Sequence, residues 1–209
     1  MRTAILLLPP LPMTTDLILA LAIGYLLGSI PFGLLLSRLG GKGDIRAIGS
    51  GNIGATNVLR TGSKGLAAAT LVLDVLKGSA AVLLAQLYWP DAVRFAAAGA
   101  MLGHLYPVWL KLKGGKGVAT LLGVIAPLLW WEAPAVYVLV WIGLLLVVRI
   151  SSVAGMAAAA SAPVSAALMA RDDLFPLALA FALLVIWKHR PNIQRLFNGT
   201  EPKIGAAGG

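Results

Sequence analysis

Gly49-Ser-Gly-Asn-Ile-Gly-Ala-Thr-Asn57 lies between two strongly apolar segments, with Arg46 and Arg60 on its flanks. Its glycines let backbone N–H groups converge on an anion without an intervening Cβ, and a helix beginning near Gly54 adds a positive end. The letters satisfy G-x-G-x-x-G, but a dinucleotide-binding reading needs a preceding strand and a βαβ unit. An apolar run of membrane length precedes the loop instead. The stretch therefore reads as a phosphate-binding loop at a membrane surface, and the chain around it as an all-α polytopic membrane protein.

Composition supports that reading. Of 209 residues, 59% are hydrophobic and only 12% are charged, and the mean hydropathy is +0.88, more apolar than a soluble domain of this size can hide. The absence of cysteine removes disulfides, thiolate metal sites and a cysteine nucleophile. Two histidines offer no His-rich site, so no protein-held metal and no cofactor are expected. The net charge of +9 invites a nucleic-acid reading, but the Lys and Arg residues occupy short loops between apolar runs rather than one continuous face. No nucleic-acid partner and no obligate protein partner are expected.

Apolar runs approaching the ~20 residues of a membrane span occur at about Leu17 to Leu36, Leu66 to Leu87, Val93 to Leu110 and Val118 to Trp131. Further runs cover about Ala135 to Val148, Val153 to Ala170 and Leu174 to Trp187. This predicts seven transmembrane helices joined by short Gly-rich cytoplasmic loops and interfacial helical segments, with five spans plus a broken helical pair as the alternative. The whole chain reads as one domain, with 1–12 an N-terminal extension and 203–209 a flexible tail. Met13 offers an alternative start. Arg38, Lys42, Arg60, Lys64, Lys116, Arg149, Arg190 and Arg195 all fall on one side of such a topology, which the positive-inside rule makes cytoplasmic. The N-terminus is then outside, and the only acid expected in the cytoplasmic loops is Asp44.

Two more segments on that side carry chemistry. Gly103-His-Leu-Tyr-Pro107 leads into Lys113-Gly-Gly-Lys-Gly-Val-Ala-Thr120, where Gly114, Gly115 and Gly117 around Lys116 permit a tight turn that aims donors and an ammonium at one point. It is not a Walker A loop, because Gly117 stands where Ser or Thr must follow the lysine. By composition alone its charges are better explained by topology, since lysines are expected in short cytoplasmic loops anyway. The third segment, His189-Arg-Pro-Asn-Ile-Gln-Arg195, follows the last apolar run and offers groups that bind an anion and handle a proton. His189 and Asn192 share a face if the helix continues, whereas Pro191 equally permits a helix start. No acidic side chain in that motif is available to fix the His189 tautomer. Asp74 and Lys77, inside an apolar run, are expected to pair with each other, since either charge facing lipid costs about 2.5 to 3.5 kcal/mol. His104 reads as a hydrogen-bonded structural residue, and Asp16, Glu132, Asp172 and Asp173 as solvated loop charges on the outer side.

Together these segments closely resemble the PlsY family of bacterial acyl-phosphate:glycerol-3-phosphate acyltransferases, over about Thr15 to Thr200. The likeness is carried by Gly28-Ser-Ile-Pro-Phe-Gly33 with the 49–57 loop, by the 103–120 segment and by His189 to Arg195. The resemblance implies a multi-pass protein of the bacterial inner membrane, with its site and C-terminus cytoplasmic. It implies transfer of a fatty acyl group from acyl phosphate to the sn-1 hydroxyl of glycerol 3-phosphate, yielding lysophosphatidic acid and inorganic phosphate. On this reading Lys116, His189, Asn192 and Ser50 are the catalytic candidates. Asn52, Thr56, Asn57, Arg60, Gly114, Gly115 and Gly117 are candidates for substrate binding, with Arg46 and Ser152 as weaker ones. Either His189 or a substrate phosphate oxygen accepts the hydroxyl proton.

Competing classes fail on their own signatures. Acyltransferases of the His-x-x-x-x-Asp type need an aspartate five residues after a histidine, where this chain has Trp109 and Gln194. Head-group transferases need clustered aspartates. A transporter or channel for an anionic solute is the alternative from another class, and it calls for inverted repeats and a site at mid-membrane.

Overall fold

The computed structural model describes residues 13–205. The expected extension at 1–12 and the end of the expected tail lie outside the described residues. Among the described residues there is no strand, which removes the dinucleotide reading of the 49–57 loop. The helices are α1 (Thr14–Gly28), α2 (Phe32–Leu39), α3 (Ala55–Leu59), α4 (Lys64–Tyr88) and α5 (Val93–Leu105). They continue as α6 (Val118–Leu128), α7 (Glu132–Val148), α8 (Ser151–Leu168), α9 (Phe175–Lys188) and α10 (Arg190–Phe197).

Every predicted apolar run is largely helical; the fourth ends at Leu128 rather than Trp131, and two others differ more. The first run is interrupted between Gly28 and Phe32, because Pro31 lacks an N–H and disfavours helix at the residue before it. The third stops at Leu105 rather than Leu110, and a single 3₁₀ turn follows Pro107. Three helical stretches, 14–39, 64–88 and 151–168, are long and apolar enough to cross a membrane by length and composition. The others are shorter. The 11 residues of α6 rise about 16 Å at 1.5 Å per residue.

Small residues set the packing. α1 and α5 face each other through Gly24, Gly28, Gly99 and Gly103, where a Cβ would meet the backbone of Ala96, Ala100, Leu21 and Tyr25 respectively. This is the close small-residue contact by which apolar helices associate without a hydrophobic drive. Gly78 and Gly123 bring α4 against α6 in the same way. On α8 the buried face is Ala154, Gly155, Ala158, Ala159, Ala162 and Ala166, placing the helix against α7 and α9. The core at the centre is built around Met101, Leu105, Leu121, Val124, Tyr137 and Val185.

Charges inside this framework are paired. Lys77 Nζ lies 2.7 Å from Asp74 Oδ1 and donates to the Ile30 carbonyl at 2.8 Å, tying α4 to the break after α1. At the opposite end Asp173 bridges Arg94 and Arg171, and Arg171 also donates to the Leu128 carbonyl. Asp173 is exposed, as expected of a solvated charge, and its surface pairs link two helix ends.

Candidate active site

The 45–60 segment is organised by one amide. Asn57, buried on the five-residue α3, donates from Nδ2 to the carbonyls of Ile45, Ile48 and Asn52, and its Oδ1 accepts from the Ser50 N–H. Its hydrogen-bonding capacity is thus spent on shaping the loop. Asn52 Oδ1 accepts from the Gly54 N–H at 2.9 Å, the local turn that launches α3. Gly49, at a φ of 55°, lies where a side chain would strike Asn57 and Arg60. Arg46 is held elsewhere: it pairs with Asp44, which also binds Arg38 at 2.7 Å, so the carboxylate caps the 3₁₀ turn at 45–47. These two arginines hold the Asp44 carboxyl well below the usual carboxylate range.

The Gly-Gly-Lys-Gly turn folds back onto the end of α5. Gly115 N–H donates to the His104 carbonyl at 3.0 Å, and Gly114 N–H to the Leu105 carbonyl at 3.3 Å. Gly117 takes a φ of 90°, open to glycine alone without strain, and starts α6. Lys116 is left half-buried. Burial, with Arg195 and Arg60 nearby, lowers its pKa to about 8, while the Glu201 carboxylate opposes the fall. It therefore remains mostly an ammonium at neutral pH.

His189 sits at the junction between α9 and α10, and α10 begins afresh with Pro191 in its first turn. His189 Nδ1 lies 2.8 Å from the Val185 carbonyl oxygen. A carbonyl only accepts, so Nδ1 carries the proton and Nε2 presents a lone pair. The tautomer that no acidic neighbour was available to fix is fixed by backbone. Burial and the Lys116 charge depress the imidazole pKa to about 4.

These segments converge on one cavity of about 340 Å³. Ser50, Asn52, Thr56, Asn57, Arg60, Lys116, Gly117, Ser152, His189 and Asn192 all border it. Gly114 borders a second, adjoining pocket that shares Lys116 and Asn192 and adds Lys113, Lys188, Arg190 and Arg195. Gly115 is buried beneath the turn. Of the residues expected from sequence, Arg46 and Gly115 border neither pocket. The main cavity continues between Ala67, Ala68 and Leu71 of α4 and Trp141 and Leu145 of α7, an apolar slot beneath a polar mouth.

One residue at this mouth escaped the sequence reading. Glu201 accepts from Ser152 Oγ at 2.7 Å and Asn192 Nδ2 at 2.6 Å through Oε1, and from Arg195 Nε at 2.7 Å through Oε2. Its side chain is only 5% exposed, and these donors outweigh burial to lower its pKa. The segment behind it is pinned by Ile204 N–H to the Arg149 carbonyl at 2.7 Å and by Arg149 Nη2 to the Ile204 carbonyl. Asp44 is therefore not the only acid on this side. The signal was present in the sequence, as a lone acid six residues after Arg195 in a strongly basic region.

Among the described residues no group of three or more His, Asp or Glu side chains is placed to hold a metal. The arrangement is a polar, basic mouth over an apolar slot in a bundle of apolar helices, a shape suited to a membrane enzyme that takes a lipid chain and a small anion. The glycerol-3-phosphate acyltransferase family model matches residues 18–199. A glycerol-3-phosphate acyltransferase of Mesorhizobium japonicum is 55% identical over 94% of this chain and 100% of its own length. One of Brucella anthropi is 55% identical over 94% of this chain and 97% of its own. The crystal structure of PlsY (YgiH), an integral membrane glycerol 3-phosphate acyltransferase, superposes in its glycerol 3-phosphate form with a TM-score of 0.83 at 36% identity. That alignment covers 91% of this chain and 96% of the other. Its lysophosphatidic acid form gives 0.81. The chain belongs to the glycerol-3-phosphate acyltransferase family and is an integral membrane enzyme.

Proposed function

We propose that this enzyme transfers a fatty acyl group from acyl phosphate to the sn-1 hydroxyl of glycerol 3-phosphate, releasing lysophosphatidic acid and inorganic phosphate. The carrying observation is the single cavity in which Ser50, Lys116, His189 and Asn192 from three separate segments face an apolar slot. Both substrates bring a phosphate to the wet end, and the donor chain needs the slot between α4 and α7. The related PlsY structures in glycerol 3-phosphate and lysophosphatidic acid forms support the same pair of acceptor and product.

The Lys116 ammonium and the N–H groups of Lys116 and Gly117 stabilise the phosphate of the donor and the charge developing on its carbonyl oxygen, where fixed donors assist acyl transfer most. The Gly114 and Gly115 N–H groups, expected from sequence to share this role, are spent on the Leu105 and His104 carbonyls. Ser50, Asn52, Thr56 and Arg60 bind phosphate and polyol, and Asn57 supports them by holding their loop. Asn192, steadied with Ser152 by Glu201, and His189 Nε2 orient the acceptor hydroxyl. A bond forms from that oxygen to the acyl carbon as the bond from the acyl carbon to the phosphate oxygen breaks. The hydroxyl proton passes to an oxygen of the departing phosphate. An acyl phosphate is already activated, so no covalent intermediate is required.

The His189 pKa makes that role testable. With an imidazole neutral above about 4, no alkaline rise in rate through pH 6 to 7 is expected, since the ring is already deprotonated there. His189→Gln retains an acceptor and is expected to keep more than a tenth of the parent rate, whereas His189→Ala loses on the order of 10²-fold. Equal losses in the two variants, with a parental rate rising through pH 6 to 7, would show His189 to be the base.

Supplying the purified protein and glycerol 3-phosphate with acyl phosphate, acyl-CoA or acyl carrier protein in turn tests the donor. Product from acyl phosphate alone is expected, and equal rates from the thioesters would overturn the assignment. We place the enzyme in the bacterial inner membrane with seven spans, N-terminus outside and site cytoplasmic, on the strength of its Lys and Arg asymmetry. In this cysteine-free chain, a cysteine placed at Lys64 or Gly205 is expected to resist an impermeant thiol reagent added to intact cells. Labelling at either position from outside would reverse the orientation.

A further inference from the structure

His104 does more than the structural histidine expected from sequence, because its ring is not hydrogen-bonded. Nδ1 has no hydrogen-bond partner and lies 3.9 Å from Asp74 Oδ1, with both side chains buried. Asp74 is in turn anchored through Lys77 to the Ile30 carbonyl. The opposite edge of the imidazole lies directly under Gly115. A Cβ on Gly115 would collide with Nε2, would lie 2.6 Å from Cε1 and 3.0 Å from Cδ2, and would meet no backbone atom among its three nearest neighbours. Gly114 differs: a Cβ there would strike the His104 carbonyl oxygen and Pro107, which no change of side chain at 104 relieves. The turn carrying Lys116 therefore rests on an imidazole and on the backbone that bears it. His104 and Asp74 also border the main cavity together with Lys116.

We propose that His104 is a positioning residue for Lys116: its ring, backed by the Asp74–Lys77 pair, is the seat that sets the height of the Gly-Gly-Lys turn over the cavity. A misplacement of about 1 Å at such a group costs on the order of 10²-fold in rate. The proposal deepens the acyl-transfer reading and rests on it for the turnover assay only.

The test is steric complementation. Gly115→Ala pushes the turn off its seat and is expected to lose about 100-fold in kcat/KM, with the thermal midpoint retained. Adding His104→Ala vacates the space that the new methyl needs, so the Gly115→Ala/His104→Ala protein is expected to recover at least tenfold over Gly115→Ala. Gly114→Ala is expected to gain nothing from His104→Ala. His104→Asn, which keeps a polar group towards Asp74, is run beside His104→Ala in case the latter does not fold, with the same recovery expected. Labelling of Lys116 by an amine-reactive ester, read by mass spectrometry, follows the turn without turnover. It is expected to rise in Gly115→Ala and to return towards the parental rate in the double variant. Losses that multiply in the double variant, equal rescue of Gly114→Ala, or unchanged Lys116 labelling throughout would each overturn the seat. An inactive parent would instead overturn the acyl-transfer reading and leave the labelling comparison to decide the seat.

Discussion

Lys116→Ala is expected to lower kcat/KM by about 10³-fold or more while the thermal midpoint stays near that of the parent. Loss of one well-placed donor to a developing oxyanion removes about 10² to 10³-fold, and this substitution also removes a charge from a half-buried anion site. The glycines on either side give the turn no other side chain to substitute for it. The same argument fixes a pH dependence. The working form is the ammonium, whose pKa is lowered to about 8, so activity is present below that value and falls about tenfold per pH unit above it. Lys116→Arg keeps a charge throughout that range. Its residual rate, lower because a planar fork replaces a point charge, is expected to lack the alkaline fall near pH 8. Arg171→Ala, at the opposite end of the bundle, serves as the control with little change. Comparable rates for Lys116→Ala and the parent at saturating substrate would remove Lys116 from the mechanism.

The second large effect is expected at Glu201. Alanine there leaves Ser152, Asn192 and Arg195 without their common acceptor. Breaking a buried ion pair from one side costs about 3 to 5 kcal/mol, and less is expected here because the Arg195 side chain is 35% exposed and water screens the pair. A clear drop in thermal midpoint is expected, together with activity lower by on the order of 10²-fold as Asn192 loses its orientation. Glu201→Gln keeps an acceptor oxygen but not the ion pair, and should fall between alanine and the parent in both measurements. An alanine variant with parental midpoint and rate would show that the carboxylate holds nothing that matters.

Much of the architecture was legible in the sequence because it follows from local rules. Apolar runs became helices, Gly54 opened α3, and Asp74 found Lys77 one helical turn away, although the first run, expected to be continuous, is broken at Pro31. What escaped depends on which partner a polar group takes, near or far along the chain. Glu201 gains its meaning from Ser152, 49 residues earlier. Arg46 resembled a phosphate ligand by composition, yet Asp44 lies two residues before it and takes the guanidinium. Asn57 was grouped with substrate ligands by its motif, whereas its amide serves the loop backbone. The His189 tautomer was set by a carbonyl one turn back in its own helix, a local contact that side-chain identities alone do not reveal.

Direct attack by the acceptor on a preactivated donor is the central claim, and rapid mixing of enzyme with acyl phosphate alone tests it most directly. Without glycerol 3-phosphate no burst of inorganic phosphate and no acylated protein are expected, and on its addition phosphate and lysophosphatidic acid should appear one for one. A burst stoichiometric with enzyme before acceptor is added, or an acyl group trapped on the chain, would contradict it.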